Sequence, residues 1–263
     1  MIPVIHKLVA KDGKYIVLPV WISGQTKYGN LSHPDVYTVD TVQQYPIGTK
    51  FVDGDRVFHY GYCNDNSSVG GRAMGGMMNV AVAKAITADA VIHAVGETEI
   101  VIEDTTSTKD QWAGGYLMPR VHPYSSHRVL SNLANDGEHM TLTLERGLLT
   151  AMAVSEDGFL NQNQYSKLSC QLPNAGKDDA SVMGVNLVTA VASTWMWIQT
   201  WGPCYISGGD ELLGVTGGDR DAWFHQDGTL MCPATVVQTQ RAGYAINETD
   251  GTSTWFVFLQ LAC

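Results

Sequence analysis

A chain of 263 residues can form one large β domain or two modest ones, and with 44% apolar residues it can bury a sizeable core. Only 16% of its residues are charged, below the roughly 25% usual in soluble domains, so neutral polar residues or neighbouring subunits must cover much of the surface. A formal net charge of −10, with 16 Lys and Arg scattered along the chain, excludes the basic stripe that neutralises phosphates, and no nucleic-acid partner is expected.

Residues 1–46 begin with short apolar stretches around Ile2, Val4 and Ile5 and from Tyr15 to Ile22, broken by Pro3, Pro19, Pro34 and several glycines. Such a segment has strand potential but little capacity for a core of its own. It reads as an extended N-terminal arm or edge element packed on the body or on a neighbouring subunit. The start carries no long apolar segment of the signal-peptide kind, and no apolar run approaches the roughly 20 residues needed to cross a bilayer. A non-secreted protein with no membrane partner is expected.

Residues 47–263 read as a β-rich body, one piece or two subdomains. Lys50-Phe51-Val52-Asp53-Gly54-Asp55-Arg56-Val57-Phe58 holds two short strands around an Asp-Gly turn, a strong hairpin signal. In the second strand Phe58, Tyr60 and Tyr62 make one face aromatic. In residues 72–87 the spacing of Met74, Met77, Met78, Val82 and Ile86 fits one amphipathic helix, weakened by Gly75 and Gly76 at about 1 kcal/mol each. Strand candidates follow at 99–103, 116–118 and 140–145; in the last, Met140, Leu142 and Leu144 alternate with Thr141, Thr143 and Glu145. Further candidates lie at 167–172, 182–190 and 241–246.

Two aromatic ribbons stand out, Thr194-Trp195-Met196-Trp197-Ile198-Gln199-Thr200-Trp201-Gly202-Pro203-Cys204-Tyr205-Ile206 and Thr254-Trp255-Phe256-Val257-Phe258-Leu259-Gln260-Leu261. Both are rich in aromatic and β-branched residues and nearly free of charge, the signature of buried strands. Trp195, Trp197 and Trp201 share one face of an ideal strand, while Met196 and Ile198 make the other face apolar too, so burial on both sides is expected rather than an exposed sugar-stacking platform. Trp195, Trp197, Trp201, Trp255, Phe256 and Phe258 are the candidate core or interface residues. The fold class expected is mainly β, a sandwich or barrel-like body of many short antiparallel strands with at most one or two short helices.

Chemistry-bearing motifs are weak. Asp53-Gly54-Asp55, Asn64-Asp65-Asn66, Gly208-Gly209-Asp210-Glu211 and Gly217-Gly218-Asp219-Arg220-Asp221 supply oxygen ligands, but none has the spaced acidic loop and terminal Glu of an EF-hand, and all suit tight turns. His122-Pro123-Tyr124-Ser125-Ser126-His127 invites a metal or Ser-His reading without GxSxG or HExxH, and a loop or interface role fits better. Gly70-Gly71-Arg72-Ala73-Met74-Gly75-Gly76 lacks the Lys-Ser/Thr ending of a phosphate-cradling loop. Cys63, Cys170, Cys204, Cys232 and Cys263 lie far apart with no CxxC spacing, as free buried thiols in a reducing cytoplasm do. Asn247-Glu248-Thr249 has the N-glycosylation pattern, read as chance in a protein without a secretion signal. No catalytic residue, cofactor or metal ligand is assigned, and the chain reads as a non-enzyme.

The order of the segments carries a resemblance. Gly48-Thr49-Lys50-Phe51, Arg56-Val57-Phe58-His59-Tyr60-Gly61, Glu99-Ile100-Val101-Ile102, Gly114-Gly115-Tyr116-Leu117, Thr141-Leu142-Thr143-Leu144-Glu145, Trp197-Ile198-Gln199-Thr200-Trp201-Gly202-Pro203 and Gly243-Tyr244-Ala245 together resemble virion structural proteins of tailed bacteriophages. The resemblance covers residues 47–263; the Met-rich segment at 72–87 and the Pro-His segment near His122 depart from its pattern. It implies a capsid decoration or cement protein on the outside of the head, assembled in the host cytoplasm. Its partners would be the major capsid protein and copies of itself, as a homo-oligomer of trimer type. A tail or baseplate component, and a glycan-binding host-attachment protein with an exposed aromatic platform, are the alternatives.

Overall fold

The computed structural model describes residues 7–9, 14–18, 34–64, 70–76, 83–87, 92–154, 156–169, 181–208, 220–225, 227–231, 240–247 and 254–262. These residues are all-β, and no helix occurs among them. The strands run, in chain order, β1 (Lys7–Val9), β2 (Tyr15–Val17), β3 (Val39–Asp40), β4 (Lys50–Asp53), β5 (Arg56–Cys63), β6 (Arg72–Gly76), β7 (Ala83–Thr87), β8 (Glu99–Glu103), β9 (Tyr116–Pro119) and β10 (His127–Asn132). They continue as β11 (His139–Leu144), β12 (Asp157–Asn161), β13 (Leu168–Ser169), β14 (Ser181–Asn186), β15 (Thr194–Ser207), β16 (Asp221–Phe224), β17 (Leu230–Met231), β18 (Arg241–Ala245) and β19 (Thr254–Gln260). Two compact units result: a smaller one from the described part of Met78–Asn163, carrying β7–β12, and a larger one carrying the other strands.

In the larger unit, 14-residue β15 organises the sheet. Its first half pairs with β5, from Thr194 opposite Cys63 to Trp201 opposite Val57, and its second half with β19, from Trp201 opposite Gln260 to Ser207 opposite Thr254. Because β15 also pairs with β14, the strands β5, β13, β6, β14 and β15 close into a ring, antiparallel except for β13 against β5. Closure removes exposed strand edges from this part of the fold. Cys63, Met74, Leu168, Met196 and Ile198, from four of the five ring strands, pack with Tyr165 and Ala190. The other face of β5 and β15 supplies Phe58, Tyr60 and Trp197 to a separate cluster with Phe51, Tyr45 and Ile16. A third cluster joins Cys204 and Ile206 to Trp255, Val257, Leu259 and Phe224.

The β4–β5 hairpin is present, with Asp53 opposite Arg56 and Gly54 at a φ of 63° in the two-residue loop, a backbone state glycine adopts without a Cβ penalty. Both faces of β5 are covered, so its aromatic face is one of two buried faces. The described parts of the first 46 residues belong to the larger sheet: β1 pairs with β2, β2 with β4, and β3 with β15.

The helix expected over 72–87 is absent. Residues 72–76 are β6, paired on one side with β13 and on the other with β14, and residues 83–87 are β7, paired with β12; residues 77–82 lie outside the described set. Met74 and Ala73 enter different buried clusters, as neighbours on a strand do, and Gly75 and Gly76 sit opposite partners on both edges. Tertiary pairing on two sides outweighs the modest helical spacing of a glycine-weakened segment.

The smaller unit is a six-stranded antiparallel sheet in the order β7-β12-β9-β10-β11-β8. Met140, Leu142 and Leu144 face one core with Ile100, Ile102, Leu117, Val129, Leu160 and Trp112, as the alternation of β11 requires. The Trp112 indole N–H donates to Ser107 Oγ (2.8 Å) and its backbone N–H donates to Asn132 Oδ1 (2.9 Å). Asp104 in turn accepts from the Ser107 hydroxyl (2.6 Å) and from two backbone N–H groups, so the buried polar atoms around Trp112 are satisfied.

One buried base in the larger unit makes stability pH-dependent. His59 stacks on Tyr165 at 4.7 Å, and its Nδ1 lies 3.2 Å from Thr200 Oγ, whose proton goes to the Ala262 carbonyl (2.7 Å). Burial, with the Lys50 charge adding to it, lowers the His59 pKa to about 4. The unfolded chain takes up this proton near pH 6.5 and the folded chain does not. Stability is therefore complete above pH 6.5 and is lost as pH falls towards 4, by about 3 kcal/mol. Against the cost of its own burial, hydrogen bonds from Thr229 and His225 hold the Asp227 carboxyl down at about 2, so its contribution is lost in a lower window. Urea denaturation at pH 7 and pH 4.5 should show the drop, and His59→Gln should flatten it; an equal slope in both proteins contradicts the assignment.

Candidate binding surfaces

The six aromatic candidates divide between core and surface. Trp197 and Trp255 are each 1% exposed. Trp195 is half-buried, with its ring 5.0 Å from Tyr62. Trp201, Phe256 and Phe258 lie on the outer face of β15 and β19, opposite the side that carries Cys204, Ile206, Trp255, Val257 and Leu259 into the core. They are joined there by Tyr205, part of the first ribbon, and by Tyr244, neither of them among the six candidates. Cross-strand register sets Tyr205 opposite Phe256 and Tyr244 opposite Phe258. Phe258 stacks on Tyr244 (5.3 Å, 3°) and meets Trp201 edge-on (5.7 Å, 87°), while Phe256 lies 4.6 Å from Tyr205. Such pairs each contribute about 0.5–1.5 kcal/mol beyond their area; Trp201 and Phe258 are half-buried, and Tyr244 stays 39% exposed.

Beside this cluster β15 runs into an open groove of about 650 Å³. The β4–β5 turn supplies Asp55 and Arg56 and residue Tyr37 stands with them; Gly70 and Gly71 lie in the lining, as do Gln199, Tyr205, Ser207 and Phe256. Arg56 donates to Asp53 (2.7 Å) and to the Tyr37 hydroxyl (3.1 Å). Close approach of the turn to β15 depends on Gly202, whose φ is 91° and whose added Cβ would meet the Asp55 carbonyl oxygen at 2.3 Å. Cys204 also lines the groove, but burial pushes its thiol up to about 12, Arg56 pulling the other way, so it is no nucleophile.

A different surface lies in the smaller unit. The segments around His93 and Met152 run antiparallel, each donating a backbone hydrogen bond to the other, and the same ladder continues from Gly96 N–H to the Leu148 carbonyl. His93, Leu148 and Met152 point inward, whereas Ile92, Val95, Leu149 and Val154 stand in solvent, Leu149 at 68% and Val95 at 65% exposed. A loop ladder with four exposed aliphatic side chains is not required by the core, which is complete beneath it.

Comparison with protein-family models, curated proteins and solved structures finds no match for this chain.

The remaining motif candidates are placed as follows. Asp53 is paired with Arg56 and with Lys14 (3.2 Å), which makes it a turn anchor. Asp221 is paired with Arg241 (2.7 Å), and residues 65–66, 209–211 and 217–219 lie outside the described set. Among the described residues, no three His, Cys, Asp or Glu are grouped to hold a metal ion. Gly71 N–H donates to the Asn186 carbonyl and Arg72 N–H to Asn186 Oδ1, so these donors serve the fold and no phosphate cradle forms. Ser125 Oγ lies 2.8 Å from His127 Nε2, but the far side of that imidazole meets the Arg146 backbone rather than a carboxylate. Burial lowers the His127 pKa, and His122 packs separately, edge-on to Tyr124. Cys63 and Cys204 are buried; the other three cysteines lie outside the described residues.

Proposed function

We propose that the chain is a virion structural protein, a decoration subunit bound to the outside of a tailed-bacteriophage head. The observation that carries the reading is the exposed aliphatic ladder of Ile92, Val95, Leu149 and Val154, a protein-contact surface on a chain with few charges. The order of the strand motifs over residues 47–263 supports it. The partners are the major capsid protein and sister copies, arranged as a trimer. The mechanism is mass action: a subunit that binds the assembled shell and not its dissociated parts stabilises the shell by RT ln(1 + [L]/Kd), about 2.7 kcal/mol at a hundredfold excess over Kd.

The test is heat resistance of purified particles. Particles lacking the protein should release their genome at a lower temperature, and added wild-type protein should restore resistance. A Val95→Asp/Leu149→Asp protein, changed at two exposed sites and still folded, should not restore it. Unchanged heat resistance without the protein overturns the reading.

A further inference from the structure

The groove along β15 has no part in shell attachment as argued above, and its walls have a chemistry of their own. Tyr205 is 64% and Tyr37 58% exposed, yet both are fixed. The Tyr205 ring lies 4.6 Å from Phe256; the Tyr37 hydroxyl accepts from Arg56, and the Tyr37 backbone N–H donates to Asp35 (2.9 Å). Rigid tyrosines present a broad face at low entropic cost on binding. The floor is polar. Gln199 is 1% exposed, and its Nε2 donates to the carbonyls of Trp201 (3.0 Å) and Pro203 (2.8 Å). With both amide protons committed, the Gln199 side-chain oxygen is the atom left to accept a bond from a ligand.

Charge narrows the class further. Arg56 opposes a cationic ligand such as a quaternary ammonium, and exposed Asp55 beside it opposes an anionic one. What suits both is a neutral molecule with polarised C–H faces to lie on the tyrosines and hydroxyls to meet Gln199, Ser207, Asp55 and Arg56. A volume of about 650 Å³ exceeds the need of a single small ion and falls within the ordinary range of ligand sites. We infer that this groove binds a neutral oligosaccharide, held between Tyr37 and Tyr205 over the Gln199 floor.

The full-length protein should be screened on an array of neutral, sialylated and sulfated oligosaccharides and against a proline-rich peptide, with calorimetry on any ligand found. Binding of a neutral glycan is expected, with Tyr205→Ala weakening it by about tenfold or more. Tyr37→Phe should retain most of the affinity, Tyr37→Ala should not, and Tyr124→Ala, an exposed tyrosine of the smaller unit, should bind as wild type. All four variants should remain folded by circular dichroism at the assay temperature, with only a small fall in midpoint where Tyr205→Ala removes the contact with Phe256 and Tyr37→Ala the bond from Arg56. Binding of no glycan, of acidic glycans alone, or of the peptide in their place overturns the inference, as does a neutral glycan whose affinity survives Tyr205→Ala.

Discussion

Replacing Trp197 by alanine is expected to cost the larger unit about 4 kcal/mol. The indole sits among Tyr45 (5.1 Å), Tyr60 (5.1 Å) and Phe51 (5.8 Å), in tilted or edge-on contact with all three rings. Tyr60 is pinned from outside: its hydroxyl donates to Asp40 (2.6 Å) and accepts from Gln44 N–H (3.2 Å), and burial raises its phenol pKa. It cannot collapse into the vacated space without breaking those bonds, so a large part of the cavity term remains. Trp197→Phe, which refills part of the space, should lose about half as much. Urea denaturation gives both values. A loss under about 1 kcal/mol for the alanine variant contradicts a close-packed aromatic centre.

Gly202→Ala is expected to destabilise by about 3 kcal/mol, despite adding one methyl group near the surface. Two costs add. An L-residue at a φ of 91° is strained, and its Cβ would press on the Asp55 carbonyl oxygen, which is backbone and cannot swing away. The register of β15 against β5 shifts between Gln199 and Trp201, so Gly202 lies just beyond an irregularity that brings the hairpin turn against the strand. Relief would move Asp55 and Arg56, and the groove with them. A denaturation midpoint within error of wild type contradicts the tight approach.

Local patterns were informative where burial follows from one strand's own alternation. Met140, Leu142 and Leu144 against Thr141 and Thr143 define the inner face of β11, and the apolar run marks β15 as covered on both sides through Thr200, whereas Trp201, Pro203, Tyr205 and Ser207 beyond it are half-buried or exposed. Parity along β15 was legible only as far as Gln199: Trp197 and Gln199 share a face, but the register against β5 then shifts, and Trp201 pairs with Val57, which faces away from Phe58, so Trp201 leaves the face of Trp197. What covers that face was not legible. It begins under Tyr45, Phe51 and Tyr60 and ends in an open groove beside Tyr205, a difference set by distant chain. The groove draws on residues near positions 37, 55, 70, 199 and 256, and no local spacing joins them. Residues 72–76 misled for a related reason: the methionine spacing is helical, while strand partners on both edges decide the outcome. Ile92, Val95, Leu149 and Val154 carried no sequence signal, because an exposed valine or leucine looks like any other until the core beneath it is known to be full.

Electron cryomicroscopy of intact particles tests the central claim most directly. The account predicts density for this chain on the outer surface of the head, with the Val95 and Leu149 loops of the smaller unit against the capsid shell. Copies confined to the tail, or particles that contain none of the protein, would contradict it.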